Sequence, residues 1–297
     1  MLTAATKLLR FLLTHPVSKR HPFRYVIRFI YWQVRLRVSR TPLVFDFVDG
    51  ARMYVQKRMT GTTGNLYVGL HEYEDMAFVL HFVQPGDLVL DVGANVGSYT
   101  ILAGAARKAE VIAIEPSEEA RNWLQRNARL NAMENRLTIR SEAVGAQTSV
   151  ARFSKGLDTV NRVLREDEDN LPAQMVDMIS IDELLDGRAP ILVKMDVEGF
   201  ETEALSGASH TLSDQRLKCV LMELNGAGAQ YGHSDAAIVE TMAGYGFLPY
   251  QYEPANRALQ KRKGDNRAPN MLFLRDLIEI KERVRNGDAF ALHGMTI

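Results

Sequence analysis

The sequence predicts an α/β protein with a mostly parallel central sheet and helices on both faces. Four short apolar runs, each ending at or near a carboxylate, span residues 88–92, 110–115, 191–196 and 219–224. These runs do not alternate polar with apolar residues, which favours strands buried on both faces, as parallel strands are. Helical patterns separate them, as in repeated β-α-β units. Because ligands bind beyond the carboxyl ends of such strands, the row of acids predicts one edge of a binding site.

Helices and further strands are expected between and after these runs. Ser117 is a candidate N-cap for a helix whose apolar stripe faces the sheet, and Ser180 opens a shorter one. Two more helices are expected over 201–212 and 235–245, and a third strand over 137–140. The last two strands, 247–252 and 271–275, are expected to form an antiparallel hairpin, and the charged stretch 165–170 a solvated loop.

The charge of the chain is unevenly distributed. The 36 basic and 36 acidic residues cancel, but the first 40 residues hold nine basic side chains and no acid. Residues 41–297 therefore hold 27 basic and 36 acidic residues, for a net charge of −9. This asymmetry predicts a basic N-terminal arm on an acidic body. Within the arm, 23–35 has the pattern of an amphipathic helix, which could lie on an anionic membrane, hold an acidic acceptor or pack on the body.

Composition and topogenic signals narrow the class of protein. An apolar share of 46% excludes wholesale disorder. The single cysteine, Cys219, favours a reducing compartment, so a cytoplasmic location is expected. No apolar run reaches the ~18 residues that a membrane span needs. Lys7 and Arg10 interrupt the apolar start and no small-residue cleavage site follows, so a signal peptide is not expected.

A glycine-rich turn follows the first buried strand. The sequence DVGANVGSYT (91–100) places Gly93 and Gly97 where the backbone can adopt positive φ, with Asn95 between them. Glu115 closes the next strand, 24 residues after Asp91, where an acid can accept both hydroxyls of a ribose. Together these features predict a nucleotide-type site.

Two ligands compete for this turn, a dinucleotide and S-adenosylmethionine. The dinucleotide pattern Gly-x-Gly-x-x-Gly is not met, because Asn95 and Ser98 occupy its second and third glycine positions. The Asp91 carboxylate would also repel a pyrophosphate at this turn. A ring of carboxylates from Asp91, Glu115 and Asp196 instead suits a ligand with a sulfonium and an ammonium group.

The candidate catalytic residues lie at the end of the fourth strand. Lys194, Asp196 and Glu198 alternate along the chain and so share one side while the strand persists. We expect Asp196 at the amino-acid end of the cofactor or at the reacting centre, with Lys194 orienting either that carboxylate or the acceptor oxygen. The alternative is a buried lysine–acid pair that only fixes the strand end.

Further candidate residues could act as bases, cover the acceptor or bind a cation. His71 and His233 are possible bases on loops, and 60–65 is a polar loop that could fold over the acceptor. No metal site is expected, although Asp196, Glu223 and Asn225 could together bind a hard cation.

Several motifs occur in order along the chain: DVGANVGSYT (91–100), IEP (114–116), KMDVEGFE (194–201) and ELNG (223–226), preceded by YVGLHEYED (67–75) and PGD (85–87). Together they resemble the FkbM family of S-adenosylmethionine-dependent methyltransferases. The resemblance implies a class I methyltransferase fold with a seven-stranded sheet and O-methylation of a hydroxyl on a sugar or secondary metabolite. In this fold Glu142 takes the position that contacts the adenine edge.

The resemblance implies a division of the chain into segments and a class of acceptor, and two other functions compete with it. We expect an arm and lead-in over 1–58, the methyltransferase domain over 59–276, and a C-terminal helix and tail over 277–297. The acceptor is expected to be a small molecule or glycan; nucleic acid is not expected, because no base-reading module accompanies the arm. The rival functions are a nicotinamide-dependent oxidoreductase and a non-catalytic cofactor-binding protein.

Overall fold

An eight-stranded sheet forms the centre of the computed structural model, which describes residues 10–57, 59–262 and 270–297. The first nine residues of the predicted arm, Arg58 and part of the polar stretch before the last predicted strand lie outside the described residues. The strands of all sheets, in chain order, are β1 (Leu43–Asp46), β2 (Arg52–Val55), β3 (Leu88–Val92), β4 (Glu110–Ile114), β5 (Leu137–Arg140), β6 (Ala143–Val144), β7 (Ser149–Ser154), β8 (Ala173–Ile179), β9 (Leu192–Met195), β10 (Cys219–Glu223), β11 (Leu248–Glu253), β12 (Ala258–Lys261), β13 (Asn270–Leu274), β14 (Ala291–Leu292) and β15 (Met295–Thr296).

Helices connect most of these strands. They are α1 (Pro22–Val38), α2 (Thr60–Val68), α3 (Tyr73–Phe82), α4 (Ser98–Ile101), α5 (Glu118–Leu130), α6 (Ile181–Leu185), α7 (Glu201–Ser206), α8 (Ser209–Ser213), α9 (Asp235–Gly244) and α10 (Leu277–Asn286). The predicted N-caps Ser117 and Ser180 are confirmed, and Ser234 caps α9 in the same way: each serine side chain accepts a hydrogen bond from the N–H of the third residue after it. These bonds satisfy backbone N–H groups that the first helical turn leaves without a partner.

The sheet order is β12-β11-β13-β10-β9-β3-β4-β5. The five strands from β10 to β5 are parallel, and β13 runs antiparallel between β10 and β11. The predicted mostly parallel sheet is therefore confirmed, and so is the antiparallel pairing of the last two predicted strands. The expected count of seven is exceeded by one, because part of the polar stretch after β11 turns back as β12 and pairs with its outer edge.

The parallel strands are buried on both faces, as their unbroken apolar runs predict. Alternate residues of β3 belong to two separate hydrophobic clusters: Val89 to one, Leu90 and Val92 to the other. The first cluster includes side chains from α1, α3, α5 and α10, and the second includes side chains from α6 to α9. Helices therefore cover both faces, and the carboxyl ends of the strands are left for a site.

The predicted helix over 201–212 is two helices, α7 and α8. The break falls at Gly207, where a Cβ atom would lie 2.2 Å from the carbonyl oxygen of Gly145. A continuous helix with a side chain here would displace the neighbouring backbone, so the close contact between these segments requires glycine. Residues 143–179 add a separate three-stranded sheet, β6-β8-β7, between β5 and β9. The loop at 165–170 is mostly exposed as predicted, except that Glu168 is partly buried against Arg162.

Helices α1 and α10, near the two ends of the chain, pack in the first of the two hydrophobic clusters. Tyr25, Trp32 and Leu36 of α1 are buried in the same hydrophobic cluster as Ile280 and Val284 of α10. Whether the boundaries at residues 58 and 276 separate units that fold independently stays a prediction. Within the described ranges, each helix is either too short or too polar to cross a bilayer.

Candidate active site

A cavity of about 750 Å³ lies at the carboxyl ends of the parallel strands. It is lined by the carboxylates that end or follow four of these strands: Asp91, Glu115, Asp196 and Glu223. Eight of the nine predicted site residues line it, namely Asp91, Gly93, Asn95, Glu115, Glu142, Lys194, Asp196 and Glu198. The structure therefore brings the predicted residues together, and only Gly97 is absent from the wall.

The glycine-rich turn holds the ends of three strands together. The N–H groups of Gly93 and Ala94 both donate to the carbonyl oxygen of Ile114, at 3.0 and 2.9 Å. Gly93 has a φ of +75°, and a Cβ atom there would lie 1.8 Å from the carbonyl oxygen of Asp196. A residue without a side chain is thus needed for two reasons, the positive φ and the close approach of the β9 end.

Gly97, the other glycine of the predicted cofactor set, does not line the cavity. Its φ is +95°, and a Cβ atom there would lie 2.4 Å from Cδ1 of Leu124 on α5. The residue is therefore constrained by helix packing on the side away from the cavity. Asn95, with a φ of +50°, does line the cavity, and its N–H donates to Oε2 of Glu115 at 2.8 Å.

Asp91 and Glu115 are buried carboxylates with raised pKa values. Asp91 is 2% exposed and accepts a hydrogen bond from Thr100 Oγ1 at 2.5 Å, but burial raises its pKa to about 6. Burial also raises the pKa of Glu115 to about 7, although its two oxygens accept from the N–H groups of Asn95 and Ser117. A positively charged ligand in this cavity would favour the ionised form of both groups.

Lys194 provides the positive charge among these acids. It is 2% exposed, and its Nζ lies 3.6 Å from Oδ2 of Asp196. Burial lowers the pKa of Lys194, but the nearby charges of Asp196, Glu72 and Glu223 outweigh burial and raise it to about 12. The side chain is consequently protonated at neutral pH, so it can orient a carboxylate but cannot accept a proton.

Three carboxylates meet beside this lysine. Asp196, Glu198 and Glu223, termed here the carboxylate cluster, have oxygen atoms within 4.8 Å of one another. Burial and then the charge of Asp196 raise the pKa of Glu198 to about 7 and that of Glu223 to about 8. Because like charges this close oppose full ionisation, the cluster retains a proton near neutral pH.

The backbone that carries Glu198 is held in an uncommon conformation. Glu198 has a φ of +54° and Gly199 of +100°. The N–H of Gly199 donates to Oε1 of the buried Glu201 at 3.1 Å, which gives Glu201 a structural role in this turn. Positive φ is uncommon at non-glycine residues and concentrates at functional sites, and of the nine described non-glycine residues that have it, Asn95 and Glu198 line the cavity.

The possible cation ligands differ from those read in the sequence. Asn225 does not line the cavity, and its Oδ1 accepts a hydrogen bond from the N–H of Ala227. Glu198 takes its place beside Asp196 and Glu223. Across residues 10–57, 59–262 and 270–297, this cluster is the one group of three acids, histidines or cysteines close enough to hold a metal ion.

Several wall residues were missed or misread in the sequence. The hydroxyl of Tyr99 donates to Oε2 of Glu72 at 2.7 Å, and both residues line the cavity although neither was a candidate. The stretch 60–65 is not a loop but the first part of α2. It is fixed to the glycine-rich turn by a 3.0 Å hydrogen bond from Asn65 Nδ2 to Ser98 Oγ. Phe11, from the N-terminal arm, also lines the cavity.

The remaining candidate residues differ in whether they line the cavity. His71 lines the cavity, whereas His233 lies away from it and contacts Glu203 at 3.2 Å. Glu142 lines the cavity and pairs with Arg140, whose guanidinium lowers the pKa of that carboxyl group.

Comparison with known proteins decides the family. The family described as methyltransferase FkbM domain matches residues 91–249, which is more than half of the chain. The chain belongs to the FkbM methyltransferase family. The matched region is therefore a methyltransferase domain, and its cofactor is S-adenosylmethionine. The carboxylate-lined cavity fits that cofactor, because buried acids attract its sulfonium and ammonium groups and an acid after β4 can accept ribose hydroxyls.

Individual relatives share shorter or more distant likeness. A tRNA (guanine(37)-N(1))-methyltransferase of Danio rerio is 32% identical over 102 residues, which are 34% of this chain and 18% of that protein. The chain thus spans under a fifth of the length of this relative. Among solved structures, P. horikoshii TYW2 in complex with MeSAdo is 16% identical with a TM-score of 0.40, covering 86% of this chain and 83% of that one. The precorrin-6y C5,15-methyltransferase of Geobacter metallireducens is 12% identical with a TM-score of 0.38, covering 69% and 86%.

Proposed function

We propose that this FkbM methyltransferase methylates a hydroxyl oxygen on a sugar, a glycan or another hydroxylated metabolite. The observation that carries the proposal is the carboxylate cluster, three acids within 4.8 Å of one another on the wall of the cofactor cavity. Such a group can accept the proton that a hydroxyl must lose when it is methylated. A nitrogen acceptor with a free lone pair has less need of a base.

The cofactor residues are assigned from their places on the wall. In this proposal Glu115 accepts the ribose hydroxyls, and Asp91 and Asp196 face the charged amino-acid end. Glu142 lies at the adenine edge. Gly93 and Asn95 shape the turn on which the cofactor lies, which their positive φ angles support.

Glu198 is the proposed general base. Its pKa of about 7 lies near the operating pH, where a base is most effective. Bound S-adenosylmethionine supplies a methyl group activated by the sulfonium. As the methyl–sulfur bond breaks and the methyl–oxygen bond forms, the hydroxyl proton passes to a carboxylate oxygen of Glu198. The products are a methyl ether, a neutral thioether and a protonated Glu198, so charge is conserved.

Lys194 and Asp196 are proposed to position the reacting groups. Lys194 keeps its proton, with a pKa of about 12, and holds the Asp196 carboxylate by an ion pair of 3.6 Å. This contact fixes one member of the carboxylate cluster and partly offsets the charge of the other two. Holding two reactants in line can supply up to ~7–11 kcal/mol of the barrier reduction, so these contacts contribute by orienting the acceptor and the cofactor.

The wall chemistry supports an uncharged hydroxylated acceptor. Aromatic rings of Phe11, Tyr67, Phe153 and Phe200 and the hydroxyls of Thr60 and Thr63 line the cavity. Apolar faces with a few polar groups suit a sugar ring, whereas the acids would repel a phosphodiester chain. The tRNA-modifying relative makes tRNA the alternative acceptor.

We also propose a cytoplasmic location for the protein. The buried, unpaired Cys219 supports a reducing compartment.

The proposal is tested by methyl transfer from radiolabelled S-adenosylmethionine. The panel of acceptors comprises free sugars, nucleotide sugars, lipid-linked glycans and unmodified tRNA. We expect label in a hydroxylated acceptor with the wild-type chain, and a loss of about 10²–10⁴-fold in kcat with Glu198→Gln. Glu203→Gln is the matched control, because Glu203 lies on α7 outside the cavity wall. Label that enters only tRNA would refute the acceptor class.

A further inference from the structure

The outward face of α1 is apolar although it faces solvent. Phe23, Ile27, Ile30, Val34 and Val38 recur every three or four residues, so they form one stripe along the helix. We call this set the outward stripe. Its side chains are between 54% and 85% exposed. The opposite face of the same helix is buried in the core, so the stripe is not needed to hold α1 on the body.

Arginines border the outward stripe. Arg24 and Arg35 lie along one side of it and Arg37 along the other, and all three are exposed. Further exposed basic residues stand before and after the helix, at Lys19 and Arg40. The chain has no carboxylate before Asp46, so nothing in this segment neutralises these charges locally.

We propose that α1 docks on an anionic lipid surface, with the outward stripe inserted among the acyl chains and the arginines at the headgroups. An apolar stripe bordered by Arg, with an exposed Tyr31 beside it, is the pattern of an interfacial helix. At 17 residues α1 is about 25 Å long, and in this proposal its axis lies parallel to the bilayer surface. Each bordering cation adds to the attraction for an anionic leaflet.

Charge argues against a second copy of this chain as the occupant. Pairing two outward stripes would bring two sets of the same arginines together, and the segment has no acid to compensate them. An anionic bilayer instead complements both the apolar and the charged parts of the face. The two arrangements make opposite predictions for the oligomeric state without lipid.

Docking in this manner places the cavity near the lipid. The inner side of α1 contacts α2, where Gln33 Nε2 donates to the Tyr67 hydroxyl at 2.6 Å and Phe29 packs on the same ring. Tyr67 lines the cavity, and so does Phe11 from the segment before α1. At Tyr67, α1 and α2 therefore lie between the proposed lipid contact and the reaction cavity.

The test is co-sedimentation of the full chain with vesicles of phosphatidylcholine alone and of phosphatidylcholine mixed with phosphatidylglycerol. We expect binding to the mixed vesicles that weakens with added salt. The double variant Ile27→Asp with Ile30→Asp should lower the partition coefficient roughly tenfold or more. The matched control, Val150→Asp with Ile278→Asp, changes two exposed apolar residues elsewhere and should bind as the wild type does.

A second set of variants tests the contribution of the arginines. Arg35→Gln with Arg37→Gln should weaken binding to mixed vesicles by roughly tenfold, whereas Arg129→Gln with Lys281→Gln, exposed on α5 and α10, should not. The proposal is overturned by absence of vesicle binding or by binding that the stripe variants leave unchanged. It is also overturned if light scattering without lipid shows a dimer that Ile27→Asp with Ile30→Asp dissociates, because the stripe then belongs to a second copy.

Discussion

Gly93 gives the sharpest test of how the glycine-rich turn builds the cofactor site. In Gly93→Ala, a Cβ atom would lie 1.8 Å from the carbonyl oxygen of Asp196, and contacts under 3.0 Å are not seen at real Cβ atoms. The end of β9 must therefore move away. The positive φ costs about 1–2 kcal/mol and the overpacking about 1–3 kcal/mol, so we expect a loss of about 2–5 kcal/mol in the free energy of unfolding.

Gly86→Ala is the matched control for backbone strain alone. Gly86 has a φ of +85°, but a Cβ atom there would meet nothing within 4 Å. We expect this variant to lose only the ~1–2 kcal/mol of the left-handed conformation and to bind S-adenosylmethionine as the wild type does. Gly93→Ala displaces Asp196 and should weaken binding about tenfold or more, which is ~1.4 kcal/mol.

Isothermal titration calorimetry with S-adenosylmethionine and thermal unfolding of the free protein measure the two effects. Equal affinity of Gly93→Ala and Gly86→Ala would refute the reasoning, because the approach of the β9 end to the turn would then have no part in the cofactor site.

Three further predictions concern the acids of the cavity. In wild-type enzyme saturated with S-adenosylmethionine, kcat/KM for the acceptor should fall about tenfold per pH unit below pH about 7, because protonated Glu198 cannot accept a proton; Glu198→Gln should remove this limb. The affinity for S-adenosylmethionine should weaken as pH falls through 7 and then 6, because Glu115 and Asp91 take up protons and lose their attraction for a cation. Calorimetry across this range checks it, and a dissociation constant independent of pH would contradict it. Methyl transfer should survive dialysis against EDTA, because the carboxylate cluster is proposed to act through a proton; activity restored only by a divalent cation would assign the cluster to a metal.

The sheet and the strand-end acids were predictable because they depend on short-range patterns. An apolar run such as 88–92 specifies a buried strand, and an acid at the end of each parallel strand must lie at the same edge of the sheet. For this reason the sequence predicts that Asp91, Glu115 and Asp196 lie near one another, and all three line the cavity. Serine caps were predictable for the same reason, since each acts within one helical turn.

The missed features depend on contacts between distant segments. Tyr99 meets Glu72 from a helix-preceding turn 27 residues earlier, and nothing local in either residue indicates the other. The break at Gly207 follows from the approach of Gly145. Asn225 was assigned to the cation set from its position at a strand end, but its side chain turns back to the N–H of Ala227. Local hydrogen bonding by asparagine competes with a role in the site.

The most direct test of the proposed reaction uses S-adenosylmethionine carrying a ¹³C methyl group and the acceptor identified by the radiolabel screen. The carbon chemical shift of the product distinguishes a methyl ether from a methylated nitrogen. The account predicts an O-methyl product that forms with the wild-type chain and Glu203→Gln and is slowed about 10²–10⁴-fold by Glu198→Gln. A methyl group on nitrogen, or an O-methyl product formed at an unchanged rate by Glu198→Gln, would contradict it.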